Sequence, residues 1–500
     1  MAVYIFAAFF VVILCSFYLY ARKKYSYWSD KGVKGPTPFP IVGNFGSVIL
    51  VKDSVQQYIK TVHLKYAGEK LVGVYRGFQP MLLVRDPDLI KQVMVKDFHK
   101  FQDRGISSSG SRLSQNLFSA DGEMWRILRQ KLTPVFTSRK LKEMVPLMQQ
   151  CVDKFVKYVD YLVENNIDHE MRSLASKYTL DVIGSCAFGL DLDACSDEEN
   201  QFSIMAKKIF KPTVYVRFLT ILDMLIPGVR KLFTTSTEIL DFFLGLVRNV
   251  IKEREGTPPV RKDFMDLMIE LREQGKVSRR KEDGISEIEM DDYLIAAQAL
   301  VFYSAGFETS AATMSFLFYE LALNPDIQDR IYQEVCKVYE KYNGQLTYES
   351  LKEMPYLDMV LDETLRKHSV AGILFRKALE DYTIPGTNVT IPKGTLIMVS
   401  ANGLHADPEY FPNPEKFNPD RFLPENIKTL KQCTYLPFGE GPRNCIGMRF
   451  AKVQSLMGIA AFLKNFKIER SPKTDTHLEY DPKGIVLLTK GGIWVKISKR

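Results

Sequence analysis

Residues 438–447 read Phe-Gly-Glu-Gly-Pro-Arg-Asn-Cys-Ile-Gly, and the chain that follows is apolar and helix-prone. One cysteine, Cys445, therefore sits in a glycine- and proline-rich loop that runs straight into a helix. The arrangement suits a thiolate bound to a haem iron. Gly441 and Gly447 let the backbone pass close to a flat macrocycle and take φ/ψ values closed to other residues. Phe438 can shield the sulfur, and Arg443 can reach a propionate bidentately. Orphan N–H groups and the dipole at the helix start favour the thiolate over the thiol. Such a ligand pushes electron density onto the iron and favours O–O cleavage. A lone cysteine is usually a small buried hydrophobe. The whole pattern Phe-x-x-Gly-x-Arg-x-Cys-x-Gly is far more specific than that.

Four further stretches carry chemistry. Ala305-Gly-Phe-Glu-Thr-Ser310 lies inside an apolar helical run from Leu294 to Leu323. A glycine there costs about 1 kcal/mol against alanine, and Thr309 and Ser310 can divert hydrogen bonds from the helix ladder and bend it. Beside a local widening, the acid–hydroxyl pair Glu308 and Thr309 makes room for dioxygen and a water chain. On its own the stretch reads more often as a packed helix with a small-residue contact. In Leu361-Asp-Glu-Thr-Leu-Arg366, Glu363 and Arg366 share one helix face, a spacing that usually marks a weak surface ion pair. Phe417-Asn-Pro-Asp-Arg-Phe422 adds Arg421 in a proline-bounded loop. Asp121-Gly-Glu-Met-Trp-Arg-Ile-Leu-Arg129 sets Trp125 and Arg129 one helical turn apart.

Together these motifs, in this order, resemble the cytochrome P450 family over essentially the whole chain. Asp181-Val-Ile-Gly-Ser-Cys-Ala-Phe-Gly189 and Leu132-Thr-Pro-Val-Phe-Thr-Ser138 are similar to segments of insect microsomal members that metabolise xenobiotics. The resemblance implies a mainly α fold with small β-sheets, haem b lying between the long oxygen-activating helix and the cysteine loop. It implies Cys445 as the axial ligand, Thr309 and Glu308 as the hydroxyl and acid of proton delivery, and Trp125, Arg129, Arg376 and Arg443 at the propionates. Glu363, Arg366 and Arg421 would lock the loop behind the haem. The implied reaction inserts one oxygen atom from O2 into lipophilic small molecules. One departure stands out. Relatives commonly carry Tyr-Pro-Pro after the Glu-x-x-Arg helix, whereas this chain has His368-Ser369-Val370, which is expected to loosen the backbone beside the substrate pocket.

The remainder of the chain bounds the reading. Net charge is +8, hydrophobic content 46% and charged content 25%, values ordinary for a globular protein and too mild to make nucleic acid the default partner. Seven scattered cysteines without a Cys-x-x-Cys argue against a disulfide framework and a structural zinc. The six histidines share no i,i+4 pair, so each reads as a surface or packing residue.

Residues 1–21 are uncharged and long enough to span a bilayer. Arg22, Lys23 and Lys24 follow, with Tyr25, Tyr27 and Trp28 as interfacial aromatics. A cleaved signal peptide fits less well, because no basic n-region precedes the apolar run. The expected organisation is thus an anchor over 1–21, a basic and proline-rich linker over 22–45 and a catalytic domain over 46–500. Positive-inside bias places that domain on the cytoplasmic side, as for an endoplasmic reticulum protein.

Helices are expected to dominate from Val55 to Glu334, with β-prone runs at Leu71–Val84 and Tyr382–Ser400. Glu253 to Glu289, rich in charge, reads as a mobile surface connection. Val214 to Phe233 is apolar and broken by Pro227-Gly228. Buried packing would explain part of it; a membrane-dipping cap with Phe218, Leu222, Leu225 and Ile226 is the alternative.

No nucleotide site is present: Gly439-Glu-Gly441-Pro-Arg-Asn444 lacks the third glycine of a dinucleotide fingerprint. Electrons from NADPH must then come through a partner, which the family resemblance implies to be NADPH-cytochrome P450 reductase, with cytochrome b5 as a second donor. The basic residues from Arg126 to Lys142, Lys131 and Lys140 among them, are a candidate docking face. The reading from a different class is a haem-binding protein that does not oxygenate, either a sensor or a peroxide isomerase. Thr309 beside Glu308 separates the two, since a peroxide isomerase needs no proton delivery.

Overall fold

The computed structural model describes residues 1–500 apart from 107–110, 197–199, 212, 227, 234–236, 257–262 and 282–283. Its axis is a 32-residue helix, Asp292–Leu323, capped by the Asp291 side chain accepting from the Leu294 N–H. This helix is apolar on all sides and buried for most of its length, the signature of a core helix rather than a surface one. Helices Met171–Ile183, Glu238–Arg254, Pro355–Lys367 and Met448–Asn465 pack around it. The expected mostly helical body is therefore present.

To one side lies a four-stranded sheet in the spatial order Leu71–Arg76, Gln79–Val84, Leu396–Ser400, Ile373–Lys377. The outer pairings are antiparallel, with Leu71 opposite Val84 and Ile373 opposite Ser400; the central one is parallel, with Met81 opposite Leu396. The β-prone run at 71–84 is thus a hairpin. Ile373–Lys377 forms the other edge of the sheet, and it carries Arg376.

The stretch from Glu253 to Glu289 departs from expectation. Phe264–Glu273 is a helix with a capping box between Asp263 and Asp266, and it buries Phe264, Met265, Met268 and Leu271. A hairpin of Lys276–Lys281 and Gly284–Glu289 follows. Arg254 closes the unit, donating to Asp263 and Asp266 at 2.6–2.9 Å. High charge content hid an apolar stripe at positions 264, 265, 268 and 271, spaced to fall on one helix face.

The amino-terminal helix, Ala2–Tyr25, is exposed along its apolar part and is long and apolar enough to cross a membrane. It continues past the basic cluster and meets the body at Phe78, whose ring lies 6.1 Å from Phe17 and 5.3 Å from both Tyr20 and Tyr25. Residues 33–38 have no regular structure, as the prolines require. They are nonetheless stapled to the sheet, because the Asn44 side chain accepts from the Tyr75 N–H at 2.7 Å and donates to Pro36 O at 2.9 Å.

Candidate active site

Cys445 precedes the helix Met448–Asn465 by three residues, and its N–H donates to Phe438 O at 2.8 Å, closing the loop. Gly439 and Gly441 take φ of +74° and +76°, the left-handed region that favours glycine. At Gly441 a Cβ would also lie 2.0 Å from Met94 O. The need for glycine there is met within the chain, by a neighbouring backbone. Gly447, at φ −90°, has no conformational need to be glycine.

Cys445 is solvent-accessible although protein surrounds it. Burial pushes the thiol up, against the Gly447 N–H and the charges of Arg129 and Arg104. The thiolate preference expected from the helix start is therefore outweighed in the free chain. A coordinated metal cation reverses this, since a coordinating thiol is deprotonated outright.

Four guanidinium groups gather near this sulfur. Arg129 donates from two nitrogens to Asn444 O and Oδ1, both at 2.8 Å. Arg443 is buried, donates to Gln102 O at 2.5 Å and to Ala120 O, and lies 4.8 Å from the Trp125 ring. Arg104 donates to Phe118 O at 2.8 Å. Arg376 is buried with its Nε unpartnered, as is the Nε of Arg443.

Burial first, and then mutual repulsion, drives the Arg376 pKa to about 9 and holds Arg104 well below the ordinary arginine range. For Arg443, burial brings the value to about 10 despite Asp121. Among the described residues, Asp121, 3.6 Å from Arg443, is the only carboxylate within ion-pair distance of the four. Such a cluster calls for an external anion, and a group with two carboxylates beside a metal fits it.

Arg104 carries no motif in the sequence, and only the fold brings it here. Arg443, expected to be free for a propionate, instead has its Nη donors on backbone carbonyls.

The central helix is α structure throughout from Asp292 to Leu323, Gly306 included. A Cβ on Gly306 would lie 2.5 Å from Ile183 Cδ1, so the glycine serves close helix packing. Carbonyls here do gain extra donors: Gln454 Nε2 reaches Gly306 O at 2.9 Å and Thr179 Oγ1 reaches Phe307 O at 3.0 Å. Thr309 is half-buried beside exposed Ala305 and donates to Ala305 O at 2.7 Å. Glu308 is buried and receives Arg172 Nε and Nη2, both at 2.7 Å on Oε1. Burial raises the Glu308 pKa, and Arg172 opposes the shift. The acid and hydroxyl therefore occupy different surroundings, with Arg172, 28% exposed, between Glu308 and solvent.

Glu363 and Arg366 are not a surface pair. Both are buried, joined at 2.7 and 2.9 Å, and Arg421 Nε lies 3.4 Å from Glu363. Arg366 also donates to His405 O, and His405 Nε2 accepts from Leu436 N–H, each at 2.8 Å. The three residues expected to form a network meet, and the network ends two residues before Phe438. The segment 368–370, expected to be loose, is buried and tethered: Val370 O accepts from Leu487 N–H at 3.0 Å and Gln56 Oε1 accepts from Gly372 N–H at 2.9 Å.

On the surface, much of the basic run from Arg126 to Lys142 is internally paired. Arg126 meets Glu123, Arg139 and Lys140 meet Glu143, and Lys142 meets Glu349 at 2.5 Å. The helix Val214–Leu225 exposes Val214, Tyr215 and Phe218, and Ile226 follows exposed, whereas Leu222 and Leu225 are half-buried. Pro227 lies outside the described residues.

The cytochrome P450 family profile matches residues 33–495. Cytochrome P450 6B7 of Helicoverpa armigera is 44% identical over 493 residues, covering 98% of this chain and 97% of its own. Cytochrome P450 6B1 of Papilio polyxenes is 42% identical, with 96% and 97% coverage. Cytochrome P450 6k1 of Blattella germanica is 39% identical, with 96% and 94% coverage. With a family match across nearly the whole chain and relatives of this closeness among insects, the chain belongs to the cytochrome P450 family, the haem b monooxygenases among the oxidoreductases.

Proposed function

We propose that this chain is a membrane-anchored monooxygenase that places one oxygen atom from O2 into lipophilic molecules such as plant toxins, insecticides or endogenous lipids. Electrons come from NADPH through NADPH-cytochrome P450 reductase, with cytochrome b5 as a second donor, at the cytoplasmic face of the endoplasmic reticulum. The observation that carries the reading is four arginines with one carboxylate among them, gathered around the loop of the solvent-accessible Cys445.

Arg104, Arg129 and Arg376 would take the two propionates, while Arg443, held on backbone carbonyls and buttressed by Trp125, would add its positive charge beside them. Cys445 would hold the iron, the centre at which bound haem supplies oxygen activation. Phe438 anchors the loop through its carbonyl. Thr309 can release Ala305 O and turn its hydroxyl to a water on the open side. Glu308, held by Arg172, can pass protons inward from solvent once that ion pair opens. Glu363, Arg366 and Arg421 keep the loop in register.

The exposed Phe218 and Ile226, with the apolar amino-terminal helix, support a body that rests on the bilayer and takes up partitioned substrates. The internal pairing of the basic run leaves Lys131 as the residue of that stretch to test first for reductase docking. Replacing Cys445 with alanine should abolish the strongly red-shifted ferrous–CO band of thiolate ligation. If the band persists in Cys445→Ala, the ligand is another residue, with Cys433 next to test.

A further inference from the structure

Asp362 and Glu363 are neighbours on the helix Pro355–Lys367, so a rotation of about 100° separates their side chains. Glu363 turns to Arg366 and Arg421, and Asp362 turns to a different pair of partners. The Tyr435 hydroxyl donates to Asp362, 2.9 Å from its main-chain O and 3.1 Å from Oδ1. Lys452 Nζ donates to the same carboxylate, 2.9 Å from Oδ1 and 3.0 Å from Oδ2. It also meets Asp358 at 2.9 Å, one turn earlier on the helix that carries Asp362. Two carboxylates four residues apart repel one another, and the ammonium between them offsets that repulsion.

The two partners of Asp362 flank the cysteine loop. Tyr435 precedes Phe438 on the way in, and Lys452 lies one turn into the helix Met448–Asn465 on the way out. The rings of Phe422 and His405 pack on Tyr435, with centroids 4.8 and 5.4 Å away. Between the two ends, the loop is held by Arg129 on Asn444 and by its own bond from Cys445 N–H to Phe438 O. Asp362 is 17% exposed and Lys452 26%, so the contact is largely shielded from solvent. Burial raises the Asp362 pKa; Lys452 and the Tyr435 hydroxyl oppose the rise, and Asp358 adds to it.

We propose that Asp362 is a positioning residue for the haem-binding thiolate: its one carboxylate ties the entry of the Cys445 loop, through Tyr435, to its exit, through Lys452. The inference rests on the haem-thiolate reading. The Glu363 network meets the loop on its entry side, at Leu436, whereas Asp362 reaches both sides. A loop pinned at both ends has fewer conformations in which the sulfur can leave a bound iron. The clasp therefore slows loss of the ligand rather than holding the fold as a whole.

The test uses full-length, haem-loaded protein with Tyr435→Phe or Lys452→Met, which remove one hydroxyl or one ammonium and leave Asp362 in place. At a fixed, sub-denaturing urea concentration, decay of the red-shifted ferrous–CO band is followed by absorbance and global unfolding by circular dichroism. Each variant should lose the band about threefold faster or more, the factor expected from one hydrogen bond, with unfolding changed less than about twofold. Hydrogen exchange of the peptide spanning 436–447 should rise, while that of the central helix keeps its wild-type level. In the double variant the two rate factors should combine to less than their product, because both contacts act on one carboxylate. If the band decays at the wild-type rate in both single variants, or only in step with global unfolding, the contacts are purely structural and the proposal fails. Full multiplication of the two factors would overturn the shared clasp in favour of two separate tethers. A wild-type protein without the thiolate ferrous–CO band would instead overturn the reading on which it rests.

Discussion

Removing the carboxylate of Glu363 tests the frame of the site most severely. This group is fully buried and accepts from Arg366 Nε and Nη2 at 2.7 and 2.9 Å and from the Asn418 N–H at 2.8 Å, with Arg421 Nε at 3.4 Å. In Glu363→Ala the guanidinium of Arg366, itself almost inaccessible, keeps its bonds to His405 O and Pro414 O but loses its counter-ion. Breaking one side of a buried ion pair costs about 3–5 kcal/mol, a large share of the roughly 5–15 kcal/mol by which domains are stable.

The loss should be felt at the cysteine loop, because Arg366 leads through His405 to Leu436, just ahead of Phe438. The assay pairs denaturant unfolding, followed by circular dichroism, with the fraction of haem that keeps the red-shifted ferrous–CO band. Glu363→Ala should lower both, and Glu363→Leu with Arg366→Met should recover part of the stability, since no charge is then left unpaired. A single variant within about 0.5 kcal/mol of wild type, the usual range for exposed positions, would refute the argument.

Thr309→Ala should retain haem and the ferrous–CO band but divert NADPH-derived electrons to hydrogen peroxide; unchanged coupling in reconstituted membranes would remove Thr309 from proton delivery. Acid should destabilise the fold through His405, whose pKa burial lowers to about 3 while Nε2 accepts from Leu436. Its unfolded value is near 6.5, so the unfolded chain binds the extra proton: stability is complete above pH 6.5 and falls towards pH 3 by up to about 1.4 kcal/mol per unit. Unfolding midpoints between pH 7 and 4.5 should show a slope that His405→Gln flattens, and an equal slope in the variant would exclude this histidine. Phe218→Asp with Ile226→Asp, in a chain beginning at Arg22, should weaken liposome binding by about 3–6 kcal/mol, from the burial of two large apolar side chains; unchanged sedimentation with liposomes would place this surface off the membrane.

What the sequence conveyed and what it withheld follow a physical division. Local structure written in contiguous residues was legible: the glycine- and proline-rich loop that leads from Phe438 through Cys445 into a helix, the long helix that carries Glu308 and Thr309, the i,i+3 spacing of Glu363 and Arg366, and the apolar run that becomes the helix Ala2–Tyr25. Backbone limits of glycine and proline, side-chain periodicity and membrane length act over a few residues, so they can be read without a fold. The charged stretch 253–289 misled because composition outweighed a four-residue apolar face whose partners are distant in the chain.

Tertiary structure alone decided which charges end up buried together. Arg104 has no motif, yet the fold sets it beside Arg443, Arg376 and Arg129, while Glu308 meets Arg172 from a helix more than a hundred residues earlier. The same holds for Gly306, whose need for glycine comes from Ile183, and in part for Gly441, where the Met94 carbonyl adds to the demand of a positive φ. His368, an apparent loosening in the sequence, becomes a tether through Glu320 and Tyr480. Desolvation and steric contact depend on what packs from elsewhere, and that information lies in distances between remote segments rather than in the order of neighbouring residues.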